Sequence, residues 1–324
     1  MAGSEVILFF GAIPPPIGGV SVYCMRRLDE LRKEQREFFF FDSRSNFNFL
    51  HLIMKGWLLF LLRRGFSIEI NVSNPVVIFV ILLSGLARFS VFFDHNGSRR
   101  FVGSVQNLVL ALFARRCRKI WLVNIDLAER YRNIGAYDSS KFEIRSPYLP
   151  PSQGEIDEAN SRFGHIYNKI KQCGRRNVVL ASAWKAIDSA AEPDLYGLLD
   201  TLDVYSNLVD EFPELTFVVI VSELGNAPMD DLLRDRISRL SGCKNFIFVT
   251  GGVPQWPLLE STLILLRLTK TDGDSVSVRE ALSSDCYVIA TDVCTRPAGV
   301  ITVPVGDIGV VIERIRLLMS GRSV

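Results

Sequence analysis

The chain lacks several patterns that would assign it at a glance. Its six cysteines (24, 117, 173, 243, 286 and 294) show no Cys-x-x-Cys spacing, so no zinc site is expected. They sit in apolar or helical text and read as reduced core thiols of a cytosolic protein. No Gly-Lys-Ser/Thr closes a phosphate-binding P-loop, and no G-x-G-x-x-G is present. Met1-Ala2-Gly3-Ser4-Glu5 lacks the positive charge of a secretory signal, and Pro14-Pro15-Pro16 interrupts the apolar text that follows. The expectation is a cytoplasmic chain, in which the sequons at Asn71 and Asn96 are chance matches.

What is present points to an α/β protein. At 324 residues the chain has room for two domains, and 48% hydrophobic content is enough for a sizeable core. The net charge of +2 hides an uneven distribution. Residues 1–150 carry 20 Lys/Arg against 12 Asp/Glu, and the rest carries 17 against 23. A basic first half suits an anionic surface, such as acidic lipid or a lipid-linked phosphate; scattered solvated arginines would give the same count.

Apolar runs alternate with helical text along the whole chain. Val6–Phe10 reads as a buried strand feeding a glycine- and proline-rich loop that ends at Gly18-Gly19, before a helix running to Lys33. Phe38–Asp42 is a second strand. The run Phe47–Phe66, closed by Arg63-Arg64 near its end, holds His51 and Lys55 and is too interrupted for a membrane span. It can lie in the membrane interface or face the core of the first domain. A strand at Ile68–Asn71, a buried helix at Val76–Arg88 started by Pro75, and a strand at Phe89–Phe93 follow. Asp94-His95-Asn96-Gly97-Ser98 stands at that strand's carboxyl end, where polar residues of open α/β sheets face a ligand. Further βα units lead to Pro147–Pro151, a stiff crossing between two domains, 1–150 and 151–324. In the second domain, strands are expected at Asn177–Ala181, Leu215–Val221, Asn245–Val249, Leu263–Arg267 and Cys286–Ala290, with helices at Leu199–Phe212, Asp230–Leu240, Pro257–Thr262 and Gly306–Met319.

The most informative stretch is 267–300. The polar loop Thr271-Asp272-Gly273-Asp274-Ser275 runs into a helix, Val276–Ser283, and then a buried strand closed by Thr291-Asp292. The free N–H groups of such a helix start form a ready phosphate site. Gly273 lets the backbone approach a ligand, and Ser275 or Ser277 can cap the helix or donate to an oxygen.

Asp272 and Glu280 are separated by seven residues, and this text resembles the donor site of retaining GT-B glycosyltransferases of family 4. Members carry a Glu, seven residues, a second Glu and a Val/Ile-rich strand; here Asp272 replaces the first Glu. The resemblance implies an α/β GT-B fold: two Rossmann-like domains facing a central cleft, an N-terminal acceptor-binding domain and a C-terminal domain for the nucleotide sugar. It further implies that Asp272 meets the sugar, that Glu280 holds the ribose, and that Gly273, Asp274, Ser275, Val276 and Ser277 surround the diphosphate. Gly18 and Gly19 match a glycine pair over the diphosphate, although a tight βα turn would also use glycine. His95 matches a histidine near the transferred sugar, with Asn96 inserted before Gly97, and Arg99 and Arg100 can assist an anionic acceptor. The resemblance makes Gly251 to Val253 candidates for the border of the nucleotide base, and Lys185 the candidate for one positive charge on the diphosphate. The second family lysine is missing, because Asp188–Asp203 contains none; Arg267 or Lys270 can substitute. The implied partners are a UDP- or GDP-sugar and a glycan or lipid-linked acceptor, with no nucleic acid; peripheral membrane contact through 47–66 is the alternative that those residues themselves leave open. No cofactor is implied. Asp272-Gly273-Asp274 is not expected to hold a metal, since helix dipole and basic residues stabilise the departing diphosphate.

Overall fold

The computed structural model describes residues 5–15, 18–95, 103–136, 138–174, 177–186, 194–225 and 228–321. The chain divides into two compact units, Met1–Pro150 and Pro151–Val324.

In the first unit, β1 (Val6–Gly11), β2 (Phe38–Asp42), β3 (Phe66–Ile70), β4 (Ser90–Asp94), β5 (Lys119–Leu122) and β6 (Phe142–Ile144) form one sheet in the order β2-β1-β3-β4-β5-β6. All its pairings are parallel. The connecting helices are α1 (Gly19–Lys33), α2 (Asn46–Leu61), α3 (Pro75–Leu83), α4 (Ser104–Arg116) and α5 (Ile125–Asn133). Strands β1, β3 and β4 are buried throughout; β1 accordingly reads as an unbroken apolar run, whereas β3 alternates and buries Ser67 and Glu69 as well. Right-handed crossovers from β2 to β3, β3 to β4 and β4 to β5 all move the same way across the sheet. They therefore lay α2, α3 and α4 on one face. The core is strongly aromatic, with Phe9, Phe10, Phe92, Phe93, Phe113 and Tyr131 fully buried.

The second unit opens with α6 (Gln153–Lys171), capped by the Ser152 hydroxyl. Its sheet contains β7 (Val178–Lys185), β8 (Thr216–Glu223), β9 (Phe246–Thr250), β10 (Thr262–Arg267), β11 (Tyr287–Thr291) and β12 (Val300–Val303). The order is β12-β11-β10-β7-β8-β9, again wholly parallel. Its other helices are α7 (Leu198–Leu208), α8 (Pro228–Leu240), α9 (Val276–Ser283) and α10 (Ile308–Met319).

Several local expectations are corrected. Helix α3 stops at Leu83 because Gly85 adopts φ +73°; only a 3-10 turn, Leu86–Phe89, follows. The run 47–66 contains both α2 and the start of β3. Only Trp256–Leu258 of the expected helix near 257–262 is helical, as one 3-10 turn. Strand β7 continues to Lys185, and the unexpected strand β12 completes the sheet.

Candidate active site

Each sheet has one place where neighbouring strands carry the chain away in opposite directions. There the loops diverge and leave a crevice at the carboxyl ends. In the first unit that place lies between β1 and β3, and in the second between β7 and β10.

At the second, Arg267 ends β10 beside Ser182 of β7, donating weakly to the Ser182 carbonyl at 3.5 Å. Its main partner is Asp272. Arg267 Nε donates to Asp272 Oδ2 at 3.0 Å and Nη2 to Oδ1 at 3.2 Å. Arg296 Nη1 donates to Oδ2 at 2.9 Å, the Thr269 hydroxyl to Oδ2 at 3.3 Å, and the Gly273 amide to Oδ1 at 3.0 Å. Five donors fill the acceptor capacity of one carboxylate. Burial works to raise the Asp272 carboxyl, but the guanidiniums of Arg267 and then Arg296 outweigh it and hold it below the usual carboxylate range. Two guanidiniums on one carboxylate leave a net positive charge at the strand end.

The same contacts fix the loop that delivers α9. Arg296 Nε also donates to the Thr291 carbonyl at 2.9 Å, and the Thr291 hydroxyl donates to the Thr269 carbonyl at 2.6 Å. The loop after β10 is thereby tied to the end of β11. Ser275 caps α9 without a side-chain bond to the helix; its hydroxyl instead meets that of Ser277 at 2.7 Å. The first amides of Val276 and Ser277 stand at this helix start. Asp274 is buried against Arg279, with Arg279 Nη2 donating to Oδ2 at 2.6 Å. Burial pushes its carboxyl up, the neighbouring Asp272 charge adds to that, and Arg279 only partly offsets them.

Glu280 lies one turn into α9, buried, and accepts from Gln255 Nε2 at 3.2 Å. Gln255 accepts in turn from the Ser182 hydroxyl on β7. Val253 is buried beside this chain of contacts, and Gly251 takes φ +92° in the turn after β9. Lys185 sits at the very end of β7 with its ammonium 4.6 Å from the Trp184 ring centre. The Trp184 indole N–H is buried there with no hydrogen-bond partner among the described residues. Lys270 is drawn aside onto the Asp200 carboxylate.

At the crevice of the first unit, His95 follows β4. Its Nε2 lies 3.1 Å from Asn71 Oδ1, and its ring packs on Phe93 at 3.9 Å and Tyr23 at 4.9 Å. Gly18 caps α1, its amide donating to the Ser21 hydroxyl at 3.0 Å, and Gly19 is the first helical residue. Asn96, Gly97, Arg99 and Arg100 lie outside the described residues.

The structure thus gathers Asp272, Gly273, Asp274, Ser275, Val276, Ser277 and Glu280 around one helix start in the second unit. His95, Gly18 and Gly19 belong to the crevice of the first. Sequence reasoning passed over Gln255 and Ser182, and read Arg296 only as part of a turn near the cleft, with no role at Asp272. Arg296 carried a faint signal, a basic residue just beyond the strand-closing Thr291-Asp292; Gln255 and Ser182 carried none. Among the described residues no group of three His, Cys, Asp or Glu could hold a metal ion.

No family model matches the chain, and no curated protein matches it in sequence. Solved structures do match in shape. Anabaena Alr3699/HepE in complex with UDP and glucose aligns with a TM-score of 0.65 at 13% identity, over 97% of this chain and 90% of that one. A UDP-forming α,α-trehalose-phosphate synthase from Burkholderia xenovorans, in complex with glucose-6-phosphate, gives 0.64 at 11%, over 97% and 92%. A glycosyltransferase from Rickettsia africae ESF-5 gives 0.60 at 11%, over 98% and 89%. The fold is therefore the GT-B architecture of two Rossmann-like domains.

Proposed function

We propose that the chain is a retaining glycosyltransferase resembling family 4, moving a sugar from a UDP- or GDP-sugar to a hydroxyl of a glycan or lipid-linked acceptor in polysaccharide biosynthesis. The observation that carries this reading is the Arg267–Asp272–Arg296 cluster. It places net positive charge at the β7/β10 switch point and fixes the amide-bearing start of α9 beside it. The likeness to structures holding UDP and glucose supports the same choice of ligand.

In this reading the diphosphate lies against the amides of Gly273 to Ser277, with Arg267 and Lys185 neutralising its charge as it leaves. Asp272 acts at the sugar end through the guanidiniums and the Gly273 turn that it holds. Glu280, set by Gln255 and Ser182, accepts from the ribose hydroxyls, and the turn from Gly251 to Val253 borders the base. The buried Trp184 indole N–H offers a further donor. Within the first unit, His95 and the Gly18-Gly19 helix start are the candidate acceptor-side groups. No carboxylate pair is assigned as acid and nucleophile in the glycosidase manner. The leaving diphosphate takes the acceptor proton, stabilised by amides and basic groups without a metal.

One observation favours a second reading. The saturation of Asp272 by five donors fits a subunit that keeps the nucleotide site but performs no transfer. Incubation with a panel of UDP- and GDP-sugars and a mixture of glycan and lipid-linked acceptors, read by thermal shift and by donor consumption, separates the two. The transferase reading expects a shift with one donor class, donor turnover, and product retaining the anomeric configuration by NMR. A shift without turnover supports the second reading, and no shift with any donor removes both.

A further inference from the structure

The helical layer on one face of the first unit has a surface that the nucleotide chemistry does not use. Helix α2 buries Leu52, Gly56 and Leu59 against the sheet. Its outer side repeats Phe47, Leu50, Met54, Trp57, Leu58 and Leu61 at helical spacing, all exposed, and Phe47, Leu50, Met54 and Leu61 are more than half exposed. Val76, Phe79 and Leu83 of α3 and Val105 and Leu108 of α4 are exposed as well, and α3 packs against α4. An apolar surface of this extent marks an interaction site.

Charge decides which partner it fits. Between residues 43 and 125 there are eleven Lys/Arg and only two carboxylates, Glu69 and Asp94. Both carboxylates are buried in strands, so α2, α3 and α4 contain no acid. Arg63, Arg64, Arg88 and Arg118, with Glu5, line a cavity of about 630 Å³ at the amino-terminal edge of the sheet, where α2 ends. That edge is opposite the carboxyl ends that carry His95. Arg64 is paired with Glu37 and Arg118 with Glu5, whereas the Arg88 guanidinium lies over Phe60 and Phe89 at 5.0 and 4.8 Å. Apolar side chains on three helices that carry no acid, bordered by arginines, complement acyl chains beneath anionic headgroups. Among the described residues no helix is long and apolar enough to cross a membrane.

We propose that the α2–α4 face docks on an anionic phospholipid bilayer, with α2 lying in its plane, its outer side chains among the acyl chains and Arg63, Arg64 and Arg88 at the lipid phosphates. The inference stands apart from the nucleotide site, so either can fail alone.

The test is sedimentation of the full chain with vesicles of phosphatidylglycerol and phosphatidylcholine, and of phosphatidylcholine alone. Binding is expected to the first and to be much weaker to the second, and to weaken as salt rises. Arg63→Gln, Arg64→Gln and Arg88→Gln together should weaken it roughly a hundredfold. Leu50→Ser, Met54→Ser and Leu61→Ser together should abolish it with the thermal unfolding midpoint retained. Binding that ignores the serine variant would overturn the proposal, as would equal binding to neutral vesicles. Absence of vesicle binding also overturns it, and a dimer that the serine variant returns to monomer would then assign the face to a second copy of the chain.

Discussion

Each unit is built on a six-stranded parallel sheet, in a different strand order, and the helices of the second finish their surface in the opposite way to α2, α3 and α4 of the first. In the second, the outer helices carry ion pairs: Arg236 with Asp203, Arg239 with Asp235, and Arg316 with Glu211 at 2.7 Å. In the first, α2, α3 and α4 turn aromatic and aliphatic side chains outward and carry no acid. Exposed ion pairs add little to stability, so the contrast is not one of folding energy. It concerns what each surface can meet: water for one, an apolar phase bordered by phosphate for the other. The crevices differ too. That of the second unit holds a buried cluster of charge, Arg267, Asp272 and Arg296, while that of the first holds a histidine packed between rings.

This contrast can be broken or sharpened by substitution, beginning with the charged cluster. Arg296→Met leaves the buried Asp272 short of one guanidinium and should cost about 3–5 kcal/mol of unfolding free energy, measured by urea denaturation. A change below 1 kcal/mol would mean that the cluster does not hold the loop. Leu59→Ala, on the buried stripe of α2, should cost about 3 kcal/mol. Gly197 comes next. It adopts φ +63°, and a Cβ there would lie 2.2 Å from the Leu268 carbonyl oxygen. Gly197→Ala should therefore cost about 2 kcal/mol or more.

Acid titration separates the two neighbouring carboxylates by sign. The folded Asp272 carboxyl is held below its unfolded value of about 3.9, so its contribution is present at neutral pH and lost as the pH falls from about 5 downward. Asp274 is held high by burial, so it opposes folding at neutral pH and that penalty fades as the pH falls through its raised value. Unfolding midpoints across this range should fall less steeply with acid in Asp272→Asn than in the parent and more steeply in Asp274→Asn. The smallest effect is expected at Leu61→Ser, on the outer stripe of α2: within about 0.5 kcal/mol of the parent. A large loss there would show that the outer stripe packs against something, and would erase the difference between the units.

Much of the sheet plan was legible because buried parallel strands are apolar runs, as at Val6–Gly11 and Thr262–Arg267, and the helices between them keep helical spacing. Boundaries were read less well where a single backbone conformation decides. Gly85 cuts α3 short through its positive φ, and the four residues of β12 follow Gly299 at φ +91°, too short a run to stand out from a turn. At the candidate site, the loop and helix from Asp272 to Glu280 could be read from the sequence because they are contiguous. Arg296, Gln255 and Ser182 join that site only through folding, at separations of 24, 25 and 73 residues from the partners they contact, and no local pattern announces such contacts. The engagement of Asp272 by two arginines was equally hidden, since each arginine alone reads as a solvated charge.

Calorimetric titration of UDP into the parent chain and into Lys185→Gln tests the central claim most directly, because Lys185 ends β7 outside the buried cluster and its loss should leave the fold intact. The parent is expected to bind UDP, and the variant to bind about tenfold more weakly, a difference of ~1.4 kcal/mol. Equal affinity in the two proteins, or no heat of binding in a folded parent, would contradict a diphosphate site at the β7/β10 crevice.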